Sequence, residues 1–573
     1  MPDIISERTF VPRDVDPAQW DQLQPLYQAL ADRPLDSVKA LKRWLAELSE
    51  LTAVVSEYGA RRHIERACHT DDPEIEKAFL HFVEQILPKL KPLQFALRKR
   101  FLDSPHQQAL TGEAYEVLRR QWQAEVSLFR EENVPLATQA TKLVSEYDKL
   151  NGAMVVEYQG RKQTLQQLGK YLEEPDRQVR EQTWRLAAER RLEDRDAIES
   201  LFDQLLGLRG RMAGHADKRD FREYSWAAMD RFDYRPEDCL AMAEAVERIC
   251  VPMVEQLDEQ RRERMELAAL RPWDLSVDVY GRAPLQPFNA DDPSELVERA
   301  RQTLARIDGG LADEFARLKL GRNLDLDSRP GKRAGGFQAG LHEIGEPFIF
   351  MNATGVHRDV ETILHEAGHA FHFVWAHRAQ PLVFLRHAPI EFCEVASMSM
   401  ELMAWRHLDV FYGDEPQRHR AQRAMLEGIV RIFPWIATID SFQHWLYTHP
   451  GHSAAERRDY WLGLMDRFSS RHVDWTGLDE VRAYLWHKQL HLFHHPFYYV
   501  EYGIAQLGAL QLWARYEREP AATLADYRAA LALGGSRRLP ALFESARLRF
   551  DLTERTLEPV MQALWRQIQS LPE

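Results

Sequence analysis

The chain has 573 residues, room for roughly four units of about 150 residues or for two merged lobes. Hydrophobic residues make up 45% and charged residues 28%, which excludes disorder as the main state and allows a large core. Lys+Arg is 74 against Asp+Glu 88, and the net charge of −14 disfavours nucleic acid and anionic membrane surfaces as partners.

Four cysteines, with no CxxC pair, exclude a disulfide framework and a Cys-based zinc site. Met1 to Arg8 lacks the basic and apolar segments of a signal peptide, and no apolar run approaches the ~18 residues that span a bilayer. The expectation is a cytoplasmic protein in a reducing compartment. In chain order, Leu35, Val38, Leu41, Trp44, Leu45, Leu48, Leu51, Val55 and Tyr58 form one helical stripe, with Asp36 and Ser37 as candidate caps. Asp72-Pro73-Glu74 opens a second helix with Phe79, Phe82, Val83, Ile86, Leu87 and Leu90 on its buried face. The basic run 89–100 reads as a solvated helix face, and 114–150, 163–173, 175–215 and 236–269 also read helical. These stripes are core packing. Strand signals are few: 154–158 before Gln159-Gly160 starts a hairpin, 276–280 alternates, and 348–352 is a short apolar run. The Pro-, Gly- and Asp-bearing segment 264–295, which includes Asp291, reads as a join between sub-lobes. Gly331 to Phe337, through Ala334, is glycine-rich but lacks a P-loop ending, so it reads as a turn or a close backbone approach.

The sharpest motif is His365-Glu366-Ala367-Gly368-His369, in a segment 359–377 that reads as a helix capped by Asp359 with Glu361 in its first turn. Four helical residues advance about 400°, so both imidazoles leave one face and can bind one Zn²⁺. Glu366 follows the first His and can act as general base toward water at the metal. A mid-helix glycine costs ~1 kcal/mol, so Gly368 suggests close approach of another segment. Pro389 to Glu401 reads as a second helix with proline in its first turn. Its Glu394 lies 25 residues after His369, which leaves room for a turn and a return. Glu391, Glu394, Met398 and Glu401 share a face. Burying those carboxylates calls for a cation, with Glu394 as ligand and Glu401 as acceptor for a His ring N–H. Glu391 reads either as a further supporting group or as a solvated one.

The HExxH spacing followed by Glu-Phe-Cys-Glu-Val-Ala-Ser (391–397) resembles the thimet oligopeptidase/oligoendopeptidase F family of zinc peptidases, most of all its oligoendopeptidase F branch. Phe221-Arg222-Glu223-Tyr224, Arg231-Phe232-Asp233-Tyr234, Pro236-Glu237-Asp238, Pro272-Trp273-Asp274-Leu275 and Gly331-Lys332-Arg333 agree, so the resemblance covers roughly 150–515. It implies a mainly α fold of two helical lobes around a deep substrate channel, with a small β-sheet near the active site. It also implies an N-terminal helical region 1–150 ahead of a catalytic region 151–573. One Zn²⁺ per chain would be held by His365, His369 and Glu394. The implied activity is hydrolysis of internal bonds in short unstructured peptides. In His491 to Gly503 it implies Tyr499 and Tyr502 as groups reaching the scissile carbonyl, with His491, His494 or His495 beside them and His491 the first candidate. The run 348–352 (Phe348, Phe350, Asn352) and the neighbouring Gly335 and Gly336 are the expected peptide-binding backbone, by strand addition. The alternatives are a helical zinc carboxypeptidase or dipeptidyl carboxypeptidase, and a noncatalytic scaffold with structural zinc. Three protein ligands plus Glu366 disfavour the scaffold, since structural sites close with four.

Overall fold

Helices begin where short polar side chains can cap them. In this computed structural model, which describes residues 8–290, 292–329, 331–333 and 335–572, Ser37 Oγ accepts from Ala40 N at 3.2 Å and opens the helix Val38–Cys68. Asp72 accepts from Glu74 N and Ile75 N at 2.9 and 3.2 Å, and Pro73 starts the next helix. The readings made on Met1 to Glu7, Asp291 and Ala334 lie outside the described residues.

Several longer stretches are divided. The stretch 114–150 is two helices, Glu113–Leu128 and Asn133–Gly152, parted where Phe129 turns extended and stacks on Phe95 with ring centroids 4.4 Å apart. The stretch 175–215 divides at Asp194 into Arg177–Glu193 and Arg195–His215. The stretch 163–173 begins in a strand and ends in a 3₁₀ turn. The hairpin forms as expected: β1 (Val155–Tyr158) pairs antiparallel with β2 (Arg161–Thr164) through Gln159 and Gly160, at φ 53° and 70°. The segment 276–280 forms no strand; Asp278 is instead bound by Arg282 and Arg420. The basic run 89–100 is not simply solvated, because Arg98 pairs with Glu125 and Arg100 donates to the carbonyls of Ala31 and Arg33.

The stripe of Val38–Cys68 closes an N-terminal core with Leu23, Leu30, Phe101 and Trp122. A larger core begins with Tyr147 and Met154 and runs to Leu571. A small cluster of Ile64, Ala67 and Cys68 against Leu341 and Phe350 ties the N-terminal helix to a three-stranded sheet. That sheet has β3 (Leu324–Asp327), β4 (Phe337–Leu341) and β5 (Glu346–Ala353) in the order β3-β5-β4, with β3 parallel and β4 antiparallel to β5. The fold is mainly α, and no helix among the described residues is long and apolar enough to cross a membrane.

Candidate metal centre and active site

The HExxH motif sits mid-way along the helix His357–Ala379. Asp359 serves its start from inside the first turn, not from the N-cap position, which Val356 holds. Its Oδ2 reaches back to the N–H groups of Thr354, Gly355 and Val356 at 2.8, 2.8 and 3.0 Å. His365 and His369 leave one face, with ring centroids 4.8 Å apart. The helix Ile390–Ala404 brings Glu394 to them, and Gly368 permits that closeness. A Cβ there would lie 2.6 Å from Ser397 Cα and 2.7 Å from Ala396 O, so the two helices meet backbone to backbone.

One Glu394 oxygen faces both rings: Oε2 is 3.3 Å from His365 Nε2 and 3.5 Å from His369 Nε2. The three donor atoms lie within 4.8 Å of one another. His365 Nδ1 meets Glu401 Oε1 at 2.6 Å, which fixes the ring so that Nε2 points at Glu394. Burial alone would lower His365, but Glu394 and Glu401 raise it well above the ordinary histidine value. Burial would likewise lift Glu394, yet His369 and His365 hold it well below the carboxylate range. Both shifts express the mutual attraction of the imidazoles and the carboxylate. Two imidazoles and one carboxylate at this spacing fit a divalent cation of the zinc type. Replacing Glu401 by Ala is expected to weaken zinc binding ~10–100-fold by releasing the His365 ring. Competition with a chelator measures this, and an unchanged affinity would remove Glu401 from the site.

Glu366 is buried, and its Oε2 has no hydrogen-bond partner. Burial raises its carboxyl above the usual value, the direction that makes a carboxylate a better proton acceptor. The centre opens on a cleft of about 440 Å³ lined by Gly336, Phe337, Gln338, Glu366, Tyr498 and Tyr502, among others. Tyr498 OH donates to Glu394 Oε1 at 3.0 Å. Tyr502 OH lies 3.4 Å from His491 Nε2. A chain of bonds sets that histidine. Trp435 Nε1 donates to Gln489 Oε1 at 3.0 Å, so the Gln489 amide turns its NH₂ toward His491 Nδ1 at 2.8 Å. His491 Nδ1 is then an acceptor, and Nε2–H faces the Tyr502 oxygen. The Tyr502 proton is left free for the cleft. Burial pushes His491 down to about 4, so the ring is neutral. Burial, reinforced by Glu394, keeps the Tyr498 and Tyr502 hydroxyls protonated.

The family model described as peptidase family M3 matches residues 170–288 and 311–561, and a peptidase M3 N-terminal domain model matches 10–129. This chain belongs to peptidase family M3. A chromosomal oligoendopeptidase F of Lactococcus lactis subsp. cremoris is 25% identical over 168 residues, 29% of this chain and 27% of that protein. Oligopeptidase PepF of Bacillus subtilis (strain 168) is 26% identical over 202 residues, 35% of this chain and 29% of its own length. The match thus spans under a third of the length of these two relatives. An X-ray structure provisionally described as oligoendopeptidase F superposes with TM-score 0.91 at 26% identity, covering 98% of this chain and 99% of that one.

Within this M3 chain the structure brings His365, Glu366, His369, Glu394, Glu401, Tyr502, His491 and Gly336 to one place. Tyr499 does not line the cleft; it is buried against His491 with ring centroids 4.9 Å apart. His494 pairs with Asp148, and His495 is exposed. Tyr498, beside the expected pair, is the tyrosine on the Glu394 carboxylate. Glu391 is neither solvated nor beside His365 and His369: it is 2% exposed and accepts from Tyr234 OH at 2.5 Å. The expected pairing of substrate with 348–352 is overturned. β5 is the central strand, with β3 and β4 on its two edges, so the backbones of Phe348, Phe350 and Asn352 have no edge to offer. Phe350 is buried under Phe337, and Asn352 Nδ2 donates to the carbonyls of Arg333 and Gly335 at 2.8 and 2.9 Å. The free edge belongs to β4, whose Phe337, Gln338 and Gly340 line the cleft.

Proposed function

We propose that the chain is a zinc-dependent oligopeptidase that hydrolyses internal bonds of short unstructured peptides. The observation that carries the reading is the convergence of His365, His369 and Glu394 on one point in a cleft that also holds the unpartnered Glu366 carboxylate. Zinc, when bound there, supplies Lewis acidity toward a carbonyl and toward water. Glu366 takes the proton of the attacking water and returns it to the leaving amine. The Tyr502 hydroxyl, whose proton is free, donates to the developing oxyanion, and one such donor is worth about 3 kcal/mol; the Tyr498 proton stays on Glu394 and steadies that carboxylate. An extended peptide lies along the open edge of β4, pairing with the backbone of a strand whose Phe337, Gln338 and Gly340 line the cleft. Gly336 adjoins it: a Cβ there would lie 3.3 Å from Thr362 Cγ2 and 3.6 Å from Glu366 Oε1.

The test is a product map on peptides blocked at both ends, with and without chelator. Internal cuts that vanish on chelation and return with zinc are expected. Cleavage confined to free carboxyl termini would replace the reading by a carboxypeptidase, and cleavage indifferent to chelator would remove the metal from it.

A further inference from the structure

The backbone just ahead of the helix Tyr499–Tyr516 is held in a costly state. Phe497 has φ +68°, a left-handed conformation that bulky side chains avoid. The other described non-glycine residues with positive φ are Gln159, Asp217, Asp230, Glu266, Arg322 and Arg547, all polar, whereas Phe497 is wholly buried.

Its surroundings over-determine it. The Phe497 N–H donates to Gln443 Oε1 at 2.6 Å, and its carbonyl accepts from Arg231 Nη2 at 2.5 Å. Its ring stands edge-on to Trp226 and His444, with centroids 5.3 and 5.4 Å away. Arg231 Nη2 also donates to Glu501 Oε1 at 2.8 Å, and its Nε lies 3.8 Å from Glu391 Oε1. One buried guanidinium therefore joins the Phe497 carbonyl, the helix of Tyr502 and the helix of Glu394. The residue after Phe497 is Tyr498, whose hydroxyl sits on Glu394. Release of Phe497 to an ordinary φ would redirect the chain at that point and swing Tyr498 away.

We infer that Arg231 and Gln443 are positioning residues, which clamp both backbone polar groups of Phe497 in the left-handed state and so aim the Tyr498 hydroxyl at Glu394 and the cleft. This deepens the oligopeptidase reading and rests on it for the kinetic readout; the metal readout stands apart from turnover.

The experiment is a double-mutant cycle of Gln443→Leu with Tyr498→Phe, read in two ways. With a blocked peptide, Gln443→Leu is expected to lower kcat at least ~10-fold with KM within ~3-fold, because Glu394, released by Tyr498, no longer steadies the centre at which the transition state forms. In chelator competition with zinc alone it is expected to weaken binding ~10-fold, through the freed Glu394. Tyr498→Phe should do the same, and the double variant should be no worse than Tyr498→Phe, since the clamp works through that hydroxyl. Additive losses in the double variant, or wild-type values for Gln443→Leu, overturn the inference. If Gln443→Leu does not fold, Arg231→Lys in the same cycle decides it. If the wild-type chain cleaves no peptide, the oligopeptidase reading fails, while the zinc cycle still decides the clamp.

Discussion

Glu366→Gln is expected to lower turnover by ~10²–10⁴-fold, the span that a positioned general base contributes, while zinc content stays at the wild-type level. Glutamine keeps the size of the side chain and one oxygen, so the packing of the helix His357–Ala379 is undisturbed. It cannot accept a proton at neutral pH. The donor set does not include residue 366, so the metal site should remain. The carboxylate is suited to its task because it is buried, raised by that burial and left with one oxygen unpartnered. Steady-state kinetics beside metal analysis of the same preparation checks this. A fully active variant would show that another group takes the proton. A variant that loses zinc would show that Glu366 holds the centre together.

The helical period and one glycine made much of this site readable in advance. Two histidines four apart must share a face, and Gly368 between them marked a close approach that the structure supplies as Ser397 and Ala396. What stayed hidden depended on partners remote in sequence or on local breaks in the period. Tyr499 and Tyr502 share a helical face, so periodicity favours them as a pair. The helix begins only at Tyr499, and Tyr498 follows the left-handed Phe497, so its direction obeys no helical rule. Glu391 lies one turn before Glu394, but its partners, Tyr234 and Arg231, come from about 160 residues upstream. The apolar run at 348–352 shows a strand without showing its neighbours. Its lack of polar alternation is what a strand covered on both faces looks like, which is a reason to place it inside the sheet. The breaks at Phe129 and Asp194 coincide with short polar runs, 130–133 and 193–196, which an exposed helix turn would carry equally well.

Gly368→Ala is expected to damage the centre from outside the ligand set. In an open helix the change from Gly to Ala gains ~1 kcal/mol. Gly463, in the helix Ala454–Phe468 with nothing within 4 Å of its would-be Cβ, provides that control. At Gly368 the new methyl would meet Ser397 Cα at 2.6 Å and Ala396 O at 2.7 Å. Both atoms are backbone of the helix that carries Glu394, so no rotamer relieves the clash. The helices must part, at a cost of ~1–3 kcal/mol or more for overpacking. A metal site tolerates only ~0.2 Å in its ligand distances, and parting the helices draws Glu394 away from both imidazoles at once. The expected result is a lower Tm than wild type and zinc affinity weakened by at least ~100-fold, beyond what loss of a supporting hydrogen bond causes. Gly463→Ala should leave both unchanged or raise Tm. If Gly368→Ala binds zinc as tightly as wild type, backbone contact between the two helices does not set the spacing of the ligands.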